Sequence, residues 1–334
     1  MKSLYFLRKP FAVFQLLSLF LISSVEAGKF SDLMESNLAG AASKRDYHLY
    51  ARSMDETIRK KFELFASWLP SSAQEAPLTL VDVGTGPGTL AYQIACHYTV
   101  CNVYGVDLSE TMIQKAKSAF QRPNLTYLRV NAADLELRDV DAMIYSSIFH
   151  EIFSFSGDSL DSVQEALKTA TQSSKVGGRL IIRDFLSPKD DTKKVVFYAQ
   201  KDFTSPQMSF PQFVRDFNKI HDHKIEYRVH SEDATSIGYE TSLNHALEYL
   251  YRYKDSHWEA ELSEKYFFWT EEDIQRLMKE AGLKIIHFAH LPNTERVEEL
   301  RSQRVILTDA ATRCEIPFPM DKVLIVAEKI CSIH

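Results

Sequence analysis

LVDVGTGPGTLAYQIA, residues 80–95, decides the fold. Leu80, Val81 and Val83 make a short apolar strand that carries one acid, Asp82. Gly84, Gly86 and Gly88 then fall at every second position, with Thr85 and Pro87 between them. From Thr89 the pattern turns helical. A loop poor in Cβ atoms lets the backbone approach a ligand closely. A strand, a glycine loop and a helix in that order form the opening unit of a nucleotide-binding sheet.

The alternation continues downstream. VYGVDLS (103–109) and LTYLRVNAAD (125–134) read as strands, with the helix ETMIQKAKSAF (110–120) between them. DAMIYSSIF (141–149) is a fourth strand, DSVQEALKTATQSS (161–174) a helix and GGRLIIRDF (177–185) a fifth strand. Near-continuous apolar strands separated by helices predict a parallel sheet covered on both faces. Right-handed crossovers make it doubly wound.

After Phe185 the rhythm breaks. Residues 186–268 are polar, aromatic and irregular, and SPQMSFPQFVRDFNKIHD and SLNHALEYLYRY read as helices. The pattern returns at TEEDIQRLMKEAGL, where Thr270 is a good N-cap and Gly282 a stop. KIIHFAH and KVLIVAEK (322–329) are the last strands. Upstream, Ile58, Phe62, Phe65 and Leu69 repeat at helical spacing, and the RKK cluster at 59–61 reads as a wet helix face.

Bulk numbers narrow the function. The 334 residues suit one large α/β domain with an insertion, or two modest domains. A net charge of −6 gives no global basic field for nucleic acid or acidic lipid. Cys96, Cys101, Cys314 and Cys331 form no CxxC pair, and spacing leaves open whether Cys96 meets Cys101. Asn124 stands in a glycosylation sequon. HDHKIEYRVH (221–230) would place His221 and His223 on one strand face, yet a metal centre needs further ligands; the expectation is no metal.

The chain opens with the three parts of a secretory signal. Lys2, Arg8 and Lys9 form the positive region, residues 11–25 the apolar stretch and Val25-Glu26-Ala27 the cleavage site. Fifteen residues are short for a membrane span, which needs about 20. Met34 is an alternative start. Residues 1–27 are read as a signal-like or anchor segment. A cytosol-facing, membrane-associated or cytoplasmic protein is favoured over an exported one.

Gly84-x-Gly86-x-Gly88 is not the dinucleotide spacing GxGxxG, because its third glycine falls one residue early. Asp107 ends the second strand 23 residues after Gly84 and can accept both hydroxyls of a ribose. The later motifs then separate the cofactors. VDVGTGPGTLA, GVDLSETMIQKAK, NAADLEL, DAMIYSSIFHEI and KVGGRLIIRDF, in this order and register, resemble the motifs of the class I S-adenosylmethionine-dependent methyltransferases. The resemblance covers residues 78 to about 185 and returns at TEEDIQRLMKEAGL and the final strand pair.

The resemblance implies a Rossmann-like, doubly wound, seven-stranded and mostly parallel sheet with an antiparallel last strand and a helical cap insert. It implies five segments: 1–27 as above, an N-terminal helical lid at 28–77, the cofactor-binding core at 78–185, a substrate cap at 186–268 and the core's C-terminal part at 269–334. It implies S-adenosylmethionine as cofactor. Gly84, Thr85, Gly86 and Gly88 would pass its methionine part and Asp82 would hold its amino group. Asp107 would take the ribose, Leu108 would pack on the adenine, Met112 on the following helix would also belong to the cofactor site, and Asp134, between Ala133 and Leu135, would bond the adenine amine. Ser146 would approach the sulfonium.

Catalytic candidates stand at the strands' carboxyl ends, where such sheets bind ligands: His150 and Glu151 after the fourth, Asp184 at the end of the fifth. Tyr249, Tyr253, His257 and Trp258 of the insert could wall an acceptor pocket, or form the insert's own core. Tyr50, with Tyr47 and His48, would close over the cofactor. The expected activity is methyl transfer to an oxygen or nitrogen of a small-molecule acceptor, with no nucleic-acid partner. The alternatives are an inactive or exported binding protein of the same fold, a protein-directed methyltransferase and a nicotinamide-dependent dehydrogenase.

Overall fold

The computed structural model describes residues 33–38, 40, 58–71, 77–201, 209–255 and 258–331. Residues 1–27, Tyr47, His48, Tyr50 and His257 lie outside the described residues.

The core begins with β1 (Thr79–Val83), whose residues from Leu80 onward are buried on both faces. Gly88 caps α3 (Thr89–His97) in a left-handed conformation at φ 89°. A Cβ at that position would stand 2.7 Å from both Ala116 Cβ and Tyr127 Oη, so the third glycine is a packing residue. β2 (Asn102–Asp107), α4 (Glu110–Ala119) and β3 (Leu125–Arg129) follow. Ser109 caps α4 by accepting from the Met112 amide at 3.4 Å. β4 (Val140–Ser146) leads into the short α5 (Phe149–Phe155), and α6 (Leu160–Ser173) into β5 (Ser174–Phe185).

After the cap come α10 (Glu271–Glu280), β9 (Leu283–Leu291) and β11 (Lys322–Lys329). Thr270 and Asp273 close a reciprocal capping box at the start of α10, the exchange that satisfies two orphan amides at once. The seven strands run in the order β3-β2-β1-β4-β5-β11-β9. β1 to β5 pair in parallel, whereas β11 pairs antiparallel with both β5 and β9. The chain order reverses at β1 and β4, and this switch point is where such sheets open a crevice.

Two apolar layers cover the sheet. One face packs Met143, Leu180, Ile182 and Ile325 against α5, α6 and α10. The other packs Ile144, Ile181, Leu324 and Val326 against α3, α4 and α2 (residues 58–66). α1 (residues 33–38) brings Met34 and Leu38 onto the first layer.

The insert is more than helical. β6 (Lys194–Gln200), β7 (Arg228–Glu232) and β8 (Ser236–Ser242) are joined by β10 (Leu307–Asp309) in a four-stranded sheet, ordered β10-β6-β8-β7 and antiparallel throughout. α7 (Phe210–Ile220) and α8 (Leu243–Leu250) pack on it, and α9 (Trp258–Glu261) follows. β10 comes from a second excursion between β9 and β11, led by α11 (Thr294–Ser302). The helical reading missed these strands, although Val195, Val196, Phe197, Tyr198 and Ala199 of β6 form an unbroken apolar run.

His221 and His223 do not share a strand. His221 ends α7, with Nδ1 2.9 Å from Asp158 Oδ1 and Nε2 2.9 Å from the Leu262 carbonyl. All four cysteines are free thiols. Asn124 Nδ2 donates to the carbonyls of Ala95, Tyr98 and Cys101, so the sequon amide serves here as a turn clamp. No helix among the described residues is long and apolar enough to cross a membrane.

Candidate functional site

A cavity of about 240 Å³ opens at the switch point. One wall is built from the glycine loop and the ends of β2 and β3. Val106 O accepts from the Gly84 and Thr85 amides at 2.8 and 2.9 Å, which folds the loop back over β2. Gly84 (φ 70°) and Gly86 (φ 54°) both adopt left-handed backbone that favours glycine. A Cβ on Gly84 would stand 2.7 Å from Ile148 Cδ1.

Asp107 ties the loop to α4. Its Oδ2 accepts from the Gly86 amide and its Oδ1 from the Ser109 amide, both at 2.8 Å. Each carboxylate oxygen keeps a second lone pair for a ligand hydroxyl. Burial pushes this carboxyl up, and the two amides oppose that. Leu108, Met112, Val130, Asn131 and Ala132 complete the wall.

Asp82 lies behind the loop. It accepts from Thr85 Oγ1 at 2.7 Å, and burial holds its carboxyl up at about 7 against that hydrogen bond. Asp82, Thr85, Gly84 and Ser146 border a smaller adjoining cavity with Lys61. Ser146 Oγ is buried and has no hydrogen-bond partner among the described residues. Ser147, next to it, is a non-glycine residue at φ 59°. Such backbone strain concentrates at functional sites.

The opposite wall is made of side chains from distant segments. His150 and Glu151 on α5, Phe185 on β5, Glu261, Glu264 and Tyr266 from the cap, and Lys322 on β11 all line it. Phe185 and Tyr266 stack at 4.3 Å, joining core to cap. His150 is buried between two acids. Its Nδ1 is 2.7 Å from Asp184 Oδ1 and its Nε2 is 3.3 Å from Glu264 Oε2. Burial alone would lower this imidazole, but the carboxylates of Asp184 and Glu264 outweigh it and raise it to about 10. The ring is therefore a cation near neutral pH.

Asp184 is buried and held low despite its burial, chiefly by His150. It also accepts from the Phe149, His150 and Phe185 amides at 2.7, 3.4 and 2.8 Å. An acid so placed anchors the first turn of α5. His150, Glu151 and Glu264 bring ligand atoms within 4.8 Å of one another, a spacing that could also hold a metal ion; in the structure His150 is engaged there by the two acids.

Of the residues singled out from sequence, Gly84, Gly86, Asp107, Leu108, Met112, Ser146, His150 and Glu151 meet around the main cavity. Asp82 and Thr85 border its smaller neighbour, while Gly88 and Asp184 support from behind. Ala133, Asp134 and Leu135 are not on the wall. They belong to a 3-10 turn after β3 and its cap, where Asp134 is exposed and Leu135 enters the core. Asn131 and Ala132 take the wall position instead; Asn131 Oδ1 accepts from the Ala133 amide at 3.0 Å. Tyr249 and Tyr253 are buried in the cap's own core with Phe197, Phe210 and Phe213, and Trp258 packs on that core.

Lys61, Phe185, Glu264, Tyr266 and Lys322 were not anticipated. Lys61 corrects the reading of residues 59–61: Arg59 and Lys60 are exposed, but Lys61 is half-buried and borders both cavities. Its signal was available. Lys61 follows Ile58 by three and precedes Phe65 by four, which places it on the inward stripe.

A family model described as a methyltransferase domain matches residues 81–182. The trans-aconitate 2-methyltransferase of Methylobacterium radiotolerans is 32% identical over 99 residues, which are 30% of this chain and 36% of that protein. The aligned stretch thus spans about a third of the relative's length. Among solved structures, the S-adenosylmethionine dependent methyltransferase from Mesorhizobium loti is 15% identical, with a TM-score of 0.44 over 80% of this chain and 96% of that one. The S-adenosylmethionine-dependent methyltransferase from Clostridium acetobutylicum is 15% identical, with a TM-score of 0.42 over 85% and 99% of the two chains. The family match means that residues 81–182 of the chain carry a methyltransferase domain.

Proposed function

We propose that the protein transfers a methyl group from S-adenosylmethionine to an oxygen or nitrogen of a small-molecule acceptor. One observation carries the reading: Gly84, Gly86, Asp107, Leu108 and Met112 share a cavity with Ser146, whose buried hydroxyl lacks a partner among the described residues. A buried unpaired hydroxyl is costly, and a polar ligand beside it removes that cost. The cofactor supplies a methyl already activated on a sulfonium, so the protein's task is orientation and exclusion of water.

In this reading the backbone of Gly84 and Gly86 flanks the amino-acid end, Asp107 accepts from the ribose and Asn131 faces the adenine. The Phe185–Tyr266 stack and Phe155 keep the opposite wall dry. His150, fixed as a cation between Asp184 and Glu264, serves as a positioning residue. Glu151, half-buried on the wall, takes the proton of a protic acceptor. A relative named for trans-aconitate supports the small-molecule part of the reading.

Calorimetric titration of the full chain with S-adenosylmethionine, S-adenosylhomocysteine and NAD tests it. Micromolar binding of the first two is expected. Binding of NAD alone overturns the reading.

A further inference from the structure

Three cations gather where β5 ends and β11 begins. Arg183 and Lys322 belong to the sheet face that carries Ile181, Leu324 and Val326, and α2 lays Lys61 over the same face. Lys61 and Lys322 line the main cavity. Arg183 reaches its wall through Ser147, donating from Nη1 to Oγ at 3.1 Å. Lys322 Nζ stands 4.4 Å from the centre of the Phe185 ring.

All three are at least half-buried, yet none has a carboxylate within ion-pair distance among the described residues. Two of the acids around them are engaged elsewhere. Asp184 holds His150 and three backbone amides, and Glu295 pairs with Lys60. Asp321, fully buried next to Lys322, is pushed up by that burial while the Lys322 charge draws it down. The cations also repel one another. Burial, then Arg183, lowers Lys61 to about 8, and the same two causes lower Lys322.

Buried charges without partners are strongly disfavoured unless something compensates them. A cavity lined by Lys61 and Lys322, with Arg183 behind Ser147 on its wall, suits a bound anion. Carboxylates have two sources here: the amino-acid end of the cofactor and the acceptor itself. Lys61 also borders the small cavity with Asp82, Gly84 and Thr85, on the glycine-loop side, and fits the cofactor's carboxylate. Lys322 borders only the larger cavity, against Phe185.

We infer that the acceptor carries a carboxylate, which Lys322 and Arg183 bind where β5 ends and β11 begins. The inference rests on the methyl-transfer reading and names the acceptor's chemical class. The cap supplies Tyr266, which stacks on Phe185, so an acceptor that joins a carboxylate to a flat or apolar body matches this wall.

Calorimetry on the full chain saturated with S-adenosylhomocysteine tests it, with succinate and citrate as probes and succinamide as the uncharged control. The expected result is that the carboxylates bind at least tenfold tighter than succinamide. Lys322→Met and Arg183→Gln should each weaken citrate about tenfold and leave S-adenosylhomocysteine affinity within twofold, whereas Lys61→Met should weaken S-adenosylhomocysteine. Lys322→Arg, which keeps the charge, should retain most of the citrate affinity and shows that loss in Lys322→Met is not misfolding. Carboxylates that bind no better than succinamide overturn the inference. So does a Lys322→Met protein that loses S-adenosylhomocysteine but not citrate, because the anion would then be the cofactor's. If wild-type protein binds no S-adenosylhomocysteine, the methyl-transfer reading itself fails, and this inference with it.

Discussion

The two walls of the cavity are built on opposite principles. The glycine-loop wall is mostly backbone and short side chains from one continuous stretch, Val83 to Ala132. Its hydrogen bonds are local: Asp107 to the Gly86 and Ser109 amides, and Val106 O to the Gly84 and Thr85 amides. The opposite wall is almost wholly side chains, delivered from α5, β5, β11 and the cap, and it is strongly charged. A wall of backbone can be shared by many proteins, because it recognises what is constant in a ligand. A wall of convergent side chains can be changed residue by residue, which is where specificity resides.

Experiments can break this contrast. The largest effect is expected from Asp107→Ala, which removes a ligand contact and the latch of the loop together. S-adenosylhomocysteine affinity should fall at least 100-fold, about 3 kcal/mol in terms of hydrogen bonds to a charged group, as read by calorimetry. If affinity survives, the loop wall is not the recognising one. Next comes His150→Ala, which strands Asp184 and Glu264 without their cation. Loss of a buried partner costs about 3 kcal/mol, visible as a lower urea midpoint near pH 6.

That cost has a pH signature. The His150 imidazole is raised from its ordinary value to about 10, so its contribution is fully present below about pH 6.5 and fades as pH rises towards 10. The stability gap between wild type and His150→Ala should therefore narrow from pH 6 to pH 10. A gap that widens would show that the ring is not a cation in the fold. Asp184, held low, works in the other sense, its share fading only as pH falls through its depressed value.

A smaller loss, about 2 kcal/mol, is expected for Gly88→Ala, where the left-handed backbone and the 2.7 Å approaches to Ala116 and Tyr127 both resist a methyl. It should appear in the thermal midpoint. The smallest is Thr270→Ala, which opens the α10 capping box at a cost of about 1 kcal/mol. Cofactor affinity should not move, since α10 touches neither wall.

The same contrast explains what the sequence disclosed. The strand order, the glycine loop, Asp107 and Met112 were legible because each depends on neighbours a few residues away. Within that local stretch Asp134, read for the adenine, stands exposed on the 3-10 turn after β3, while Asn131 stands on the wall. The charged wall was legible only in part. His150 and Glu151 follow a strand end and were found. Lys322 and Glu264 act through pairings some 140 and 110 residues from β5 and α5, and no periodicity reports those. The cap's aromatics had two readings, a pocket wall or the cap's own core, and Tyr249 and Tyr253 take the second. Lys61 was hidden by its charge, although its spacing from Ile58 and Phe65 pointed inward.

The route of the chain through the cap has a further consequence. β10 enters the four-stranded sheet from the loop between β9 and β11, long after β6, β7 and β8 have been laid down. Leu300, Val305 and Leu307 from that second visit are sewn into the same apolar core as Phe197 and Leu247. The cap is therefore not a cassette. Recombination that replaced residues 186–268 alone would leave β10 without the strand it pairs with, and Leu300, Val305 and Leu307 without the core they fill. Change in this half of the molecule is channelled into single substitutions on a stitched frame, and an engineer who wants a new acceptor should edit the wall in place rather than transplant the cap.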